Sequence, residues 1–112
     1  MLKPKYRLKA KTDFENVRKR GRGASVGKIA VKSAKNGLEY SRFAFVVSLK
    51  ISKSAVKRNR LRRQMREIIR LNLNKIKPGY DIVIRTRPGS LDLDFEGLKS
   101  ALARVFEKLG LI

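Results

Sequence analysis

One stretch, from about residue 54 to residue 73, sorts cleanly on a helix and constrains everything built around it. With successive residues ~100° apart, Leu61, Met65 and Ile68 share one side, with Ile69 at its edge. That stripe has to be buried, so the rest of the chain must supply a core against it. Asn59, Arg62, Arg63, Arg66 and Arg70 gather on the opposite side. An ordinary solvated helix face mixes Glu and Lys one turn apart for stability. Here Glu67 is the helix's single acid, and its position leans toward Arg60 and Gln64. The first turn is unusual as well. Lys53, Lys57 and Arg58 stand where the helix dipole is already positive, each at a small cost in stability. Free N–H groups, the dipole and side-chain charge then converge on one point, which makes the helix start a receptor for an anion such as phosphate. Ser52 and Ser54 are available there as caps or as further donors.

The charge excess extends beyond that helix. Against 29 Lys and Arg the chain has 9 Asp and Glu, a net charge of +20 over 112 residues. Self-repulsion on this scale weakens a compact state unless a polyanion relieves it. Nucleic acid is the leading partner class and an anionic membrane surface the second. A surface selected for solubility alone would interleave both signs. The apolar fraction of 42% belongs to a folded domain rather than to a basic tail. The length points to a single domain over 1–112 with one core. Histidine and cysteine are absent, which removes the usual general base, the usual zinc ligands and disulfides. No stretch approaches the ~20 apolar residues of a membrane span. The basic start, broken by Pro4, has no signal-peptide core. The expected setting is the cytoplasm, with no membrane.

Residues 1–11 read as a flexible basic arm. Thr12, with Glu15 three residues on, has the form of a capping box. It opens a short helix with Phe14 and Val17 one turn apart, stopped by Gly21 and Gly23. Residues 28–32 alternate with period two: Ile29 and Val31 face inward, while Lys28, Ala30 and Lys32 take the other face. Asn36-Gly37 signals a turn before the next strand. Residues 43–49 form a largely buried strand, with Phe43, Phe45, Val47 and Leu49 on one face and the smaller Ala44, Val46 and Ser48 on the other. Those small residues suit either a helix packed on them or the floor of a groove. Pro78-Gly79 precedes a strand over 80–85 rich in β-branched residues. Pro88-Gly89 precedes a last helix over about 94–109, with Leu98, Leu102, Val105 and Leu109 on one stripe and Gly110 closing it. Asp92, Asp94 and Glu96 crowd its start, where the dipole favours them. A metal site is the weaker reading of these carboxylates.

Arginine dominates the outer face of the long helix. A guanidinium presents a planar fork that fits phosphate and stacks on bases. Asn59 suits a base edge, a sugar or a hydrated ion, with local capping as the plainer role. A helix that reads the DNA major groove mixes base readers with phosphate contacts. A stripe made almost wholly of phosphate-type donors fits the backbone and shape of structured RNA better. A generic polyelectrolyte surface is the bland alternative.

The run Ala55-Val56-Lys57-Arg58-Asn59-Arg60-Leu61-Arg62-Arg63, followed by Arg66-Glu67, resembles the signature of the bacterial ribonuclease P protein subunit. Arg7-Leu8, Asp13-Phe14 in a first helix ending at Gly21, Val47-Ser48, Asp81-Ile82-Val83, Pro88 and the final amphipathic helix fall in that family's order. The resemblance therefore spans nearly the whole chain. It implies an α/β (α+β) fold: a two-layer sandwich with a small mixed sheet, about three helices and a left-handed βαβ crossover, against the general right-handed rule. It also implies the protein subunit of an RNA-based endoribonuclease that cuts the 5′ leader from precursor tRNA. The active site and its Mg2+ would belong to the RNA, and the protein would bind no cofactor. The implied partners are ribonuclease P RNA and precursor tRNA, not DNA, with the protein a monomer on its own.

Carried over by position, the contacts to catalytic RNA would come from Lys53, Ser54, Lys57, Arg58, Asn59, Arg60, Arg62, Arg63, Arg66 and Arg70. The leader would lie in a cleft between the first helix and the sheet, lined by Phe14, Val17, Arg18, Ala30, Lys32, Ser48 and Lys50. Here the sequence departs from the family pattern. Several members place aromatics where Arg18 and Lys32 stand, so Phe14 is left as the main stacking platform and the cleft should rely more on charge. A structural RNA-binding protein of the ribosome is the competing reading. An autonomous nuclease finds neither a general base nor a metal cage among these residues.

Overall fold

The segment Tyr80-Asp81-Ile82-Val83-Ile84 carries apolar residues on both parities, the pattern of a strand covered on two sides. The structure is a computed structural model that describes residues 2–112; Met1 lies outside the described residues. Four strands, β1 (Arg22–Val26), β2 (Ile29–Lys35), β3 (Arg42–Val46) and β4 (Tyr80–Thr86), form one sheet in the order β1-β2-β4-β3. The helices are α1 (Lys11–Arg20), α2 (Ala55–Leu71) and α3 (Phe95–Lys108). β2 is antiparallel to β1 and β4, whereas β3 and β4 are parallel and joined through α2. β4 is thus an inner strand with cover on both faces.

Parity along the strands sorts the sheet into two faces. Ile29, Val31, Phe43, Ile82 and Ile84 pack with Leu61, Met65, Ile68 and Ile69 of α2 and with Leu98, Leu102, Val105 and Phe106 of α3. This is the two-layer α+β sandwich. The other face carries a smaller cluster, Ala34, Ala44 and Val83, packed with Leu8 and with Val17 of α1. One short helix cannot cover a four-stranded sheet, so α1 leaves part of that face open. Both long helices begin on side-chain caps. Ser54 Oγ accepts from the Lys57 N–H, and Asp94 Oδ1 accepts from the Gly97 N–H at 2.7 Å. No helix among the described residues is long and apolar enough to cross a membrane.

Several expectations are corrected. Residues 2–8 do not stand off as a basic arm. Leu2 and Leu8 are buried, and the Leu8 N–H donates to the Phe43 carbonyl at 2.8 Å along the free edge of β3. Two isolated leucines among cations carry no periodic signal, which hides this packing from the sequence. α1 starts at Lys11 after Ala10 with no side-chain cap, so Thr12 lies inside the helix. Gly21 is its C-cap, where a Cβ would run into the Val17 carbonyl. Gly23 belongs to β1, a strand the sequence pattern did not reveal. Gly27, at φ 55°, takes the left-handed turn position between β1 and β2. Asn36-Gly37 is a turn but not a hairpin, since β4 intervenes between β2 and β3. The strand expected over 43–49 stops at Val46, and Leu49, expected inside, is 67% exposed. Ile69, placed at the edge of the core stripe, is a full member of it.

An ion pair between a half-buried arginine and a buried aspartate locks the parallel strands. Arg42 and Asp81 are register partners, and the guanidinium donates to both Asp81 oxygens at 2.8 Å. Asp81 is 1% exposed and also accepts from Asn36 Nδ2 at 3.0 Å. Arg42 Nη2 reaches Asp13 of α1 at 3.3 Å. The hydrogen bond to Asp81 raises the Arg42 pKa against the opposing effect of burial. One guanidinium therefore ties β3, β4 and α1 together. Removing one partner of a buried pair costs about 3–5 kcal/mol. Arg42→Ala is expected to lower the unfolding free energy in urea by that amount, and a loss of less than about 1 kcal/mol, as at an exposed pair, would contradict this role.

Candidate nucleic-acid interface

The face that α1 leaves open is a groove. Phe14, Val17 and Arg18 of α1 form one wall of a hollow of about 240 Å³, with Lys32 of β2 and Val83 and Arg85 of β4 facing them. Lys32, Val83 and Arg85 also line the next hollow, of about 380 Å³, which runs out over Gly23, Ala24, Ala30 and Arg87. Phe14 is shared with a third, of about 250 Å³, floored by Ala44 and Val46 and bounded by Arg7, Arg62 and Arg66. The three adjoin across the sheet, from β1 to α2. Their floor is built from small or β-branched residues because successive residues of β2, β3 and β4 alternate faces, and the bulky ones are spent on the sandwich core.

At the α2 end four arginines converge. Arg7, Arg62 and Arg66 line the hollow, and Arg63 lies on the same helix turn. None of the four is in an ion pair among the described residues. Arg7 Nε is buried without a hydrogen-bond partner. Burial, together with the charges of Arg7, Arg62 and Arg63, lowers the Arg66 pKa. Uncompensated like charge of this kind is favourable only when an anion sits among the guanidiniums. A family model described as Ribonuclease P matches residues 2–110.

The chain belongs to the ribonuclease P protein family.

It is 38% identical over 106 residues to the ribonuclease P protein component of Alkaliphilus metalliredigens, with 95% of each chain covered. It is also 38% identical over 102 residues to that of Clostridioides difficile, covering 90% of this chain and 89% of the relative. Among solved structures, the RNase P protein from Thermotoga maritima superposes with a TM-score of 0.83 at 33% identity, over 91% of this chain and 96% of that one. The RNase P protein of Staphylococcus aureus gives 0.87 at 25%, over 95% and 96%.

The residues expected from the ribonuclease P resemblance fall into three groups. Phe14, Val17, Arg18, Ala30 and Lys32 do come together in the groove. Ser48 and Lys50 line none of the three hollows and are exposed in the turn after β3. Arg18 is in the wall, but Glu15 holds it at 2.6 Å, which lowers the Glu15 pKa. The Lys32 ammonium donates to the Arg18 carbonyl at 2.7 Å. The groove's charge is therefore carried more by Arg85 and by the α2 end than by Arg18. Lys53, just before α2, and Lys57, Asn59, Arg60 and Arg63 on it are exposed. Arg62 donates to Asn59 Oδ1, so Asn59 steadies a neighbouring guanidinium. Arg58 turns back to the Ser52 carbonyl at 2.7 Å, and Ser54 is occupied as the cap. The helix start is thus partly satisfied from within. Glu67 does not lean toward Arg60 and Gln64; it forms a two-pronged pair with Arg70 at 2.6 and 3.0 Å. Arg70 is the compensated member of the stripe.

Sequence reasoning missed Arg7, Val83, Arg85 and Arg87. Parity with Ile82 and Ile84 puts Val83 and Arg85 on the opposite face, but that this face is open follows from the strand order alone.

A filled arginine cluster should steady the fold. Phosphate at about ten times its Kd adds roughly 1.4 kcal/mol, which raises the melting temperature by about 5 °C for a domain of this size. That rise is expected over chloride at matched ionic strength and should vanish in the Arg62→Ala/Arg66→Ala double variant. Equal melting in both salts, or a rise that survives in the variant, would contradict the cluster's role.

Proposed function

We propose that this ribonuclease P protein holds two stretches of RNA at once. The arginine face of α2 binds the catalytic RNA of the holoenzyme. The groove between α1 and the sheet binds the single-stranded 5′ leader of precursor tRNA. The observation that carries this reading is the juxtaposition at the α2 end of the groove: an apolar floor suited to unpaired bases runs directly into Arg7, Arg62 and Arg66, which lack counter-ions. Phe14 offers a ring on which a base can stack, worth about 1–3 kcal/mol per base. Lys32 and Arg85 supply cations along the wall for the backbone.

The chemistry of leader removal is assigned to the RNA. This chain has no histidine or cysteine to serve as a general base or thiolate nucleophile. Asp13 and Asp81 are both engaged by Arg42. The described residues gather no group of three or more potential ligands for a metal ion. The magnesium the holoenzyme needs is assigned to the RNA as well. The protein's contribution is to screen the repulsion between two polyanions and to fix where the leader enters. Arg7, Lys53, Lys57, Arg60, Arg62, Arg63 and Arg66 are outside the ion pairs formed by the described residues. Neutralising about seven phosphates gives a log–log salt slope of roughly −5 to −6.

The test is reconstitution. Added to a cognate ribonuclease P RNA and precursor tRNA at low magnesium, the protein should stimulate cleavage at the mature 5′ end, while protein alone cleaves nothing. No stimulation of a cognate RNA would reject the proposal, and cleavage by protein alone would overturn the assignment of chemistry to the RNA.

A further inference from the structure

A fourth hollow, of about 490 Å³, lies at the C-terminal end of α2 and shares no lining residue with the groove. Two half-exposed rings stand in it. Tyr6 and Tyr40 meet edge to face, with centroids 5.9 Å apart and planes at 85°. They are the one aromatic pair among the described residues. The Lys5 ammonium lies 4.9 Å from the Tyr6 centroid and 5.2 Å from that of Tyr40. Arg70 and Asn74 complete the rim on the α2 side. Phe43 and Phe106, by contrast, are buried in the core, and Phe14 belongs to the groove.

The hollow is joined to the arginine cluster by one helix face. Arg63, Arg66 and Arg70 follow at helical spacing, with Arg66 bounding the groove and Arg70 bounding this hollow. Four residues of helix advance about 6 Å, so an RNA backbone resting on Arg66 would next meet Arg70 on the rim of this hollow. We infer that the Tyr6–Tyr40 pair is a stacking site for an unpaired base of an RNA strand whose phosphates follow the arginine face of α2. The inference rests on the RNA-binding reading above and adds a second place where bases are held.

The chemistry differs from that of the groove. Glu39 stands on the rim and Glu67 compensates Arg70, so this hollow is less positive. Recognition here is by ring faces, which accept any base. An incoming base takes the place of Lys5 against the rings. The Asn74 side-chain amide provides one donor group and one acceptor for a base edge. Ser41 contributes nothing, since its hydroxyl already donates to the Lys77 carbonyl and accepts from the Tyr80 N–H.

Binding of ribonuclease P RNA by the wild-type protein, Tyr40→Ala, Tyr40→Phe and Arg63→Ala, each at several salt concentrations, tests this. Loss of one stacked base weakens binding about 5- to 150-fold. Tyr40→Ala should show that loss with an unchanged salt slope, and Tyr40→Phe should stay close to wild type. Arg63→Ala should lower the slope by about one. Wild-type affinity in Tyr40→Ala alongside a weakened Arg63→Ala would overturn the inference and leave the RNA-binding reading standing. Wild-type affinity in both would overturn both. A Tyr40→Phe loss as large as that of Tyr40→Ala would assign the effect to the hydroxyl and overturn stacking. Ultraviolet crosslinking of the wild-type protein to the same RNA gives a result independent of any variant's folding: adducts on the Tyr6 or Tyr40 peptides support the site, and their absence overturns it.

Discussion

Arg42 reaches three elements from one position, and the geometry of the groove follows from that reach. Its two-pronged bond to Asp81 fixes the parallel register of β3 on β4, and its contact with Asp13 sets α1 down on the same face. That face is the one carrying Ala44 and Val83. With Ile82 and Ile84 buried on the other side against α2 and α3, β4 is covered on both faces. Only a strand so held can give α1 a fixed stance over a floor it does not fully cover. The polar anchor at one end of α1 and the Val17 packing along it leave the groove as the space between.

The distribution of charge follows a similar division. Nine acids face 29 cations. Asp13 and Asp81 go to Arg42, Glu15 to Arg18, Glu67 to Arg70, and Asp94 caps α3. The acids thus stabilise the frame and compensate the two ends of the basic surface. The middle, where Arg7, Arg62, Arg63 and Arg66 meet, receives none. A chain under pressure for stability alone would place a carboxylate there. The gap is where a polyanion contributes most, because each phosphate that enters relieves repulsion already present in the free protein.

Much of this was readable from residue order, and the remainder divides by physical cause. α2 and α3 show in the sequence because burying one stripe of a helix imposes a period that survives in a single chain. Ser54 and Asp94 mark their starts for equally local reasons. β1 does not show, because Arg22-Gly23-Ala24-Ser25-Val26 is an edge strand with little to bury. The packing of Leu2 and Leu8 depends on a free edge of β3 that residue order does not reveal. The same holds for the groove: Arg85 and Val83 acquire meaning once β4 is known to lie between β2 and β3. The pairs Glu15–Arg18 and Glu67–Arg70 are different. Their i,i+3 spacing stands in the sequence and takes Arg18 and Arg70 out of the uncompensated set. Ser48 and Lys50 lie beyond β3, which ends at Val46 before reaching them.

The proposed division of labour puts the leader in the groove and the catalytic RNA on the arginine face of α2. Because the chain has no cysteine, a single Cys can carry a short photo-crosslinker without side reactions. In holoenzyme assembled with precursor tRNA, a crosslinker on Ala30→Cys, in the groove, should label the 5′ leader, and one on Arg63→Cys, on the α2 face, should label the catalytic RNA. Exchange of the two targets, or leader labelling from both positions, would contradict the account.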